Sequence, residues 1–484
     1  MLVTPDGETS AAPSEMDGIG MTQTVSDGIE ALRAAVGGDV LCPGDAEYDE
    51  SRRVWNAQID RRPTVVVMCT SPADVAAAIV YARQDGLEIS VRGGAHNTSG
   101  SAVVNDGLMI NLSRMNSVSV DPEARRVRVG GGALLSDLDA ATQEHGLATP
   151  GGHVSHTGVG GLTLGGGMGW LTRKHGLSID NLTGAEVVTA DGAVVWASED
   201  EHPDLFWALR GGGGNFGVVT TFEFQLHPVG PIVNFGFFFW EADRGTEALR
   251  LIRDTVAALP REFNVLIPAL NAPPAPFVPE QHQFTPGFGL LLTGFSSPEE
   301  HAEQAERIRT ALPPLFEFVS PIPYTALQQM QDEGTAWGQL DYEKGTQLPD
   351  LTDEVIAVLT EYFPKRTSPL SMFMSYRLDE AYSEVAEDAT AYGGGRSPRY
   401  ALTLVGMARD MDAWTKDREW VRGLWDALQP YSLGVGDYIN NMVEFEEGRI
   451  RASYGAEKYE RLAGIKAIYD PQNVFRHNVN IPPA

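Results

Sequence analysis

Cysteine is nearly absent from these 484 residues: Cys42 and Cys69 are the only two. Neither lies in a CxxC pair, so a disulfide framework is excluded and both read as small buried hydrophobes. Lysine is also scarce, six residues against thirty arginines, and 65 acidic residues against 36 basic ones leave a net charge of −29. Such a surface repels phosphate backbones and anionic lipid, so neither nucleic acid nor a membrane is expected as a partner. It fits a salt-adapted cytoplasm or a genome that favours arginine equally well. No apolar run reaches the roughly 18 residues of a membrane span. Residues 1–24 lack the positive start and apolar stretch of a signal peptide. They read as a disordered tail, and the expected location is cytoplasmic. HExxH, GxSxG and GxxxxGKS/T motifs are all missing, which removes the usual zinc-hydrolase, serine-hydrolase and phosphate-loop readings. His153-x-x-His156 sits among glycines with no cysteine nearby, so no metal site is expected.

What is present is a folded chain, 43% hydrophobic and 21% charged, long enough for two or three domains. A short helix is expected from Ser26 to Gly37. Pro63–Thr70 is a continuous β-branched run and reads as a buried strand. Ser71 then caps a helix that opens on Pro72, is favoured by Asp74 and runs to about Gly86. Leu87–Arg92 follows as a strand and closes a βαβ unit. Glycine clusters fill the chain to about Pro228. Beyond Gly230 the character changes to an α+β module. Strands are expected at Val233–Trp240, Phe288–Gly294, Pro369–Tyr376 and Ala401–Ala408. Helices are expected at Arg244–Ala258, Pro298–Ala311 and Leu351–Tyr362, with a last helix at Arg449–Ala467 before an extended tail.

Three glycine segments carry the chemistry. In Val91-Arg92-Gly93-Gly94-Ala95-His96-Asn97-Thr98-Ser99-Gly100 a strand runs straight into consecutive glycines, whose N–H groups can line an anion such as a diphosphate. Gly158–Gly169 holds seven glycines in twelve residues, too many for a helix or strand, and lacks the GxGxxG spacing of nicotinamide-binding turns. Gly211–Gly217 has the same character. Three such segments suit backbone wrapped around a long, thin ligand.

With Arg53-Val54-Trp55-Asn56, Asp204–Ala208, Tyr438-Ile439-Asn440, Tyr469-Asp470-Pro471 and Asn478–Pro483, these blocks resemble the berberine-bridge-enzyme-like branch of the vanillyl-alcohol-oxidase superfamily. The resemblance spans about residues 45 to 483. Val154–Gly158 and Gly176–Asn181 look most like the bacterial oxygenases of that branch that form a flavin-N5-oxide. The resemblance implies an α+β, two-domain PCMH-type FAD-binding fold. Residues 25–230 would form the FAD-binding domain, completed by 432–484. Residues 231–431 would form an α+β substrate domain, an antiparallel sheet covered by helices.

FAD is the implied cofactor, bound covalently through His96 alone, because Val154 stands where many members place a second, cysteinyl link. Ala95 replaces the usual third glycine. The resemblance places Arg92, Gly93, Gly94, Ala95, His96, Asn97, Ser99 and Gly100 on the cofactor. From the second segment it adds Val154, Ser155, His156, Thr157, Gly160, Gly161, Gly165, Gly169 and Trp170. Gly214, Gly217, Val218, Tyr438, Asn440, Asn478 and Asn480 complete the set. Thr157 would stand where oxygen arrives, and Tyr438 would take a proton, its pKa lowered by nearby positive charge. Plant members use a glutamate on a substrate-domain strand, but Met374-Ser375-Tyr376-Arg377 offers no acid. Tyr376 and Arg377 would line the pocket or the surface, and Arg377 would suit an acidic substrate. The expected activity is oxidation of a small organic substrate with O2 as acceptor. The alternatives are a flavin dehydrogenase with another acceptor, or a flavin-binding protein without turnover.

Overall fold

The fold begins from the apolar run at Val65–Met68, where all four residues are buried. The structure, a computed structural model, describes residues 28–434, 438–445 and 447–484. The tail expected at 1–24 and the helix start at Ser26 lie outside the described residues; helix is present over 28–35. After Val65–Met68, Ser71 caps helix Pro72–Gln84 by accepting from the Asp74 amide, with Pro72 at the first position. Asp74 also accepts from the Gly37 and Thr70 amides and the Thr70 hydroxyl, so one carboxylate joins three chain segments. Strand Ile89–Arg92 follows. Leu108–Asn111 inserts between the two and pairs parallel with both, and Asp39–Leu41 adds an antiparallel edge.

A second, antiparallel sheet orders Val118–Asp121, Arg126–Gly130, Val218–Gln225, Leu182–Val188 and Val194–Ser198. Its apolar face packs with helices Pro203–Leu209 and Ala456–Tyr469 in one core, which includes Phe206, Phe222, Leu462 and Ile481. The C-terminal segment therefore returns to this part of the molecule. Lys466, fully buried, fixes the return: its ammonium bonds Asp470 and the Asn215 and Phe475 carbonyls.

The third sheet has seven antiparallel strands. Their order is Phe316–Pro323, Ile232–Glu241, Pro286–Gly294, Phe263–Asn271, Met372–Leu378, Arg399–Ala408 and Leu340–Leu348. Strand alternation divides Ile232–Glu241 between two cores. Phe238 and Trp240 face helices Gly245–Ala258, Pro298–Ala311, Asp353–Tyr362 and Met411–Leu428. Phe235, Phe237 and Phe239 face the other way, in a cluster with Trp170, Leu171 and Tyr324. This is an α+β fold with a helix-covered antiparallel sheet beside the glycine-rich part.

Three expectations change. Gly158–Gly169 contains a helix, Val159–Gly165, despite its glycines. Outside contacts hold it: the Val159 amide bonds the Ala133 carbonyl, Gly213 bonds Leu164, and Asn440 bonds Leu162. Packing outweighs the roughly 1 kcal/mol that each interior glycine costs. The last helix is two, Glu447–Tyr454 and Ala456–Tyr469, broken at Gly455, where φ is +74°. Strands Phe263–Asn271, Phe316–Pro323 and Leu340–Leu348 and helix Met411–Leu428 were not expected.

Candidate functional site

Strand Ile89–Arg92 delivers the chain into the turn at 93–100, and this turn meets the second glycine segment backbone to backbone. A Cβ on Gly94 would lie 2.2 Å from the Gly158 nitrogen, and one on Gly158 would lie 2.3 Å from the Gly94 nitrogen. Only glycine fits at either place. Ala95 adopts φ +55°, the left-handed region that glycine enters freely. The residue that departs from the family pattern thus keeps the glycine conformation and bears its strain.

The turn presents His96 to a cavity of about 380 Å3. The Trp55 ring stacks on His96 with centroids 4.6 Å apart, and His96 Nε2 lies 3.1 Å from His156 Nδ1. Burial, then the neighbouring His156, push the His96 pKa down to about 3, so the ring is neutral near pH 7. Asn56 ties this turn to the seven-stranded sheet: its amide donates to the Thr98 and Asp341 carbonyls, and its oxygen accepts from the Asp341 amide.

The cavity runs from the C-terminal tail, at Phe475, His477 and Asn478, past all three glycine segments to the sheet, at Met374, Tyr376 and Thr403. Of the expected residues, Gly93, Gly94, Ala95, His96, Asn97, Val154, Thr157, Gly160, Gly161, Gly214, Gly217, Val218, Tyr438, Asn440 and Asn478 line it. The others stand behind the wall. Arg92 donates to the Ser51 carbonyl. Ser99 pairs with Ser101, which does line the cavity. Ser155 bonds Asp332 through its amide and hydroxyl. His156 supports His96. A side chain on Gly100, Gly165 or Gly169 would strike Ile59, Asn440 or the Gly151 carbonyl. Trp170 belongs to the phenylalanine cluster, with the His153 ring against its edge. The Asn480 side-chain oxygen is buried without a partner among the described residues.

Tyr438 is held by two donors, the Gly167 amide and Asn440 Nδ2, each 2.8 Å from its oxygen. Among the described residues, no cation acts on it. Burial raises its pKa, contrary to the lowering expected from sequence. Tyr376 also lines the cavity and is raised by burial, then by Glu343 and Tyr438. Arg377 does not line it: strand alternation sends it to Asp379 and over the Tyr400 ring.

The acid missing from Met374–Arg377 is two strands away. Glu343, on Leu340–Leu348, is the only carboxylate among the described lining residues, and no lysine or arginine is among them. It shares its strand face with Asp341, two residues earlier. The only signal in the sequence was that Asp-x-Glu spacing.

The cavity suits a dinucleotide flavin. A Cβ on Gly161 would meet no atom within 4 Å, and one on Gly214 only Asn478 Nδ2 at 3.8 Å, so any side chain there would occupy the cavity itself. Asn478 Oδ1 is buried without a partner among the described residues. With no lysine or arginine among the described lining residues, a diphosphate would rest on backbone N–H groups. No cluster of three or more metal-ligating side chains occurs among the described residues, and no described helix is long and apolar enough to cross a membrane.

Comparison with known proteins agrees. Residues 63–198 match the family model described as FAD binding domain, and residues 437–482 match berberine and berberine like. An FAD-linked oxidoreductase of Dictyostelium discoideum is 30% identical over 469 residues, 96% of this chain and 98% of that protein. The (R)-6-hydroxynicotine oxidase of Paenarthrobacter nicotinovorans is 31% identical over 462 residues, 94% and 98% of the two chains. The crystal structure of 6-hydroxy-D-nicotine oxidase from Arthrobacter nicotinovorans superposes with a TM-score of 0.83 at 29% identity, covering 93% of this chain and 98% of that one.

Proposed function

Because the chain belongs to the FAD-linked oxidoreductases that join an FAD-binding domain to a berberine-like segment, we propose that it is an oxidase with one covalent histidyl-FAD. It would oxidise a small organic substrate and use O2 as acceptor. The observation that carries this reading is the convergence of His96, Thr157, Tyr438 and Glu343 on one cavity that glycine backbone otherwise lines.

FAD, when bound, accepts a hydride from a substrate C–H bond. His96 would hold the cofactor covalently: its ring is neutral, so one of its two nitrogens carries a lone pair, and the contact between Nε2 and His156 bears on which one. Val154 at the cysteine position leaves this as the single attachment. Glu343 is the base. Burial and Asp341 shape its proton affinity, and it faces the cavity where a leaving proton would appear. Tyr438, with its oxygen saturated by two donors, serves as a hydroxyl donor that orients substrate and contributes to the same proton path. A wall whose described residues include one acid and no lysine or arginine selects a substrate that offers a hydroxyl or an amine, not an anion. Thr157 lines the cavity without the bulk of a leucine, which leaves room for oxygen.

Anaerobic photoreduction followed by mixing with air tests this function. Reoxidation within seconds with release of hydrogen peroxide is expected. A flavin that stays reduced until an artificial acceptor is added contradicts the oxidase and supports a dehydrogenase. The threonine at 157 also favours a second reading, in which one oxygen atom enters the product; labelled O2 would place that atom by mass.

A further inference from the structure

Two carboxyl groups side by side, one of them buried and neither acted on by a lysine or arginine among the described residues, resist being ionised together. Asp341 and Glu343 are such a pair. They occupy alternate positions on Leu340–Leu348, which puts both side chains on one face of the strand, and each acts on the titration of the other. Facing them from the turn at 93–100 is the Thr98 hydroxyl, 3.5 Å from Asp341 Oδ2. Asn56 occupies the Asp341 main chain. From strand Met372–Leu378, Tyr376 faces Glu343 as a neutral phenol. Lys344 points elsewhere, over the Trp425 ring at 4.3 Å and 3.8 Å from Glu444. Among the described residues, only Asp341 and Thr98 act on Glu343 beyond its burial.

The two acids differ. Asp341 is 1% exposed, and its Oδ1 has no hydrogen-bond partner among the described residues. Glu343 reaches the cavity. Burial, then Glu343, raise the proton affinity of Asp341; burial also raises that of Glu343, and Asp341 opposes that rise.

We propose that Asp341 is a neutral carboxylic acid that donates a hydrogen bond to the Glu343 carboxylate, and so acts as the positioning residue that keeps Glu343 a base in a cavity whose described lining holds no lysine or arginine. Only the task given to Glu343 rests on the function above. In that task Glu343 takes one proton from the substrate while Asp341 keeps its own, and the pair goes from one proton to two.

Infrared spectroscopy of the resting holoenzyme, with carbon-13 in aspartate or in glutamate, reads the protonation directly. A protonated-carboxyl band near neutral pH that moves with aspartate labelling, shifts in D2O and is lost in Asp341→Asn is expected. If the band moves with glutamate labelling, or no such band exists, the proposal is overturned. The second readout is the titration of the Glu343 carboxylate. The amide introduced by Asp341→Asn would still donate an N–H, so this variant should leave that titration within about threefold. Asp341→Ala removes the donor and should raise the proton affinity of Glu343 tenfold or more. Equal shifts in both variants would contradict a neutral donor. Should Asp341→Ala fail to fold, the band and the asparagine variant still decide the matter. None of these readouts needs turnover, so a failure of the oxidase reading is seen separately, in the flavin spectrum.

Discussion

His96 Nε2 and His156 Nδ1 lie 3.1 Å apart, and the Trp55 ring stacks on His96 at 4.6 Å. Such a contact places one N–H between the two rings, and that choice fixes which nitrogen of His96 keeps its lone pair. His156→Ala is therefore expected to leave the fold intact and lower the fraction of covalently bound flavin several-fold. His156→Asn, which can still hydrogen-bond, should restore much of it. Flavin fluorescence of denatured protein on a gel reads both.

The contact between Gly94 and Gly158 sets a second expectation. Gly94→Ala would place a methyl 2.2 Å from the Gly158 nitrogen, a distance that only a backbone shift can relieve. Cofactor content should fall sharply. Ala95→Gly should act in the opposite direction, because Ala95 sits at φ +55°. It should stabilise the protein by about 1 kcal/mol, read as a higher melting temperature with unchanged flavin content.

Much of this architecture was legible in the sequence. The buried run at Val65–Met68, the Ser71 cap and the three glycine segments all reflect local chemistry that a single chain displays. Leu340–Leu348 was not legible. Its Asp, Glu, Lys, Gly and Gln residues give no strand signal, and its conformation comes from nine cross-strand partners on Arg399–Ala408. Glu343 was missed with it. Phe316–Pro323 carries two prolines and survives only as an edge strand. Met411–Leu428 did carry a signal, the apolar spacing of Trp414, Val421, Leu424 and Leu428 behind the Asp410 cap.

Asp139 ties pH to stability. It is buried beside Gln328, whose Nε2 donates to it at 2.9 Å, and burial pushes its pKa up to about 7. The neutral acid can return a hydrogen bond to Gln328 Oε1, which has no other partner among the described residues. In the unfolded chain the same carboxyl ionises near pH 4. Its contribution is therefore fully present below about pH 4, declines as pH rises toward 7 and is lost above it, by an amount on the order of 4 kcal/mol. Asp139→Asn should preserve the pairing, flatten this slope and stabilise the protein at pH 8. Urea denaturation at pH 5 and pH 8 measures it.

Thr157 controls oxygen in this reading. Thr157→Val conserves volume and should leave reoxidation within about threefold. Thr157→Leu adds bulk to the cavity wall and should slow it at least tenfold without slowing anaerobic reduction by substrate. Stopped-flow mixing of reduced enzyme with oxygenated buffer separates the two steps.

The covalent flavin at His96 is the central claim, and acid precipitation of the purified protein tests it most directly. Yellow colour that stays in the pellet of the native protein and moves to the supernatant in His96→Ala is the expected result. Colour in the supernatant of the native protein would contradict the covalent link, and colourless, well-folded protein would contradict the flavoenzyme itself.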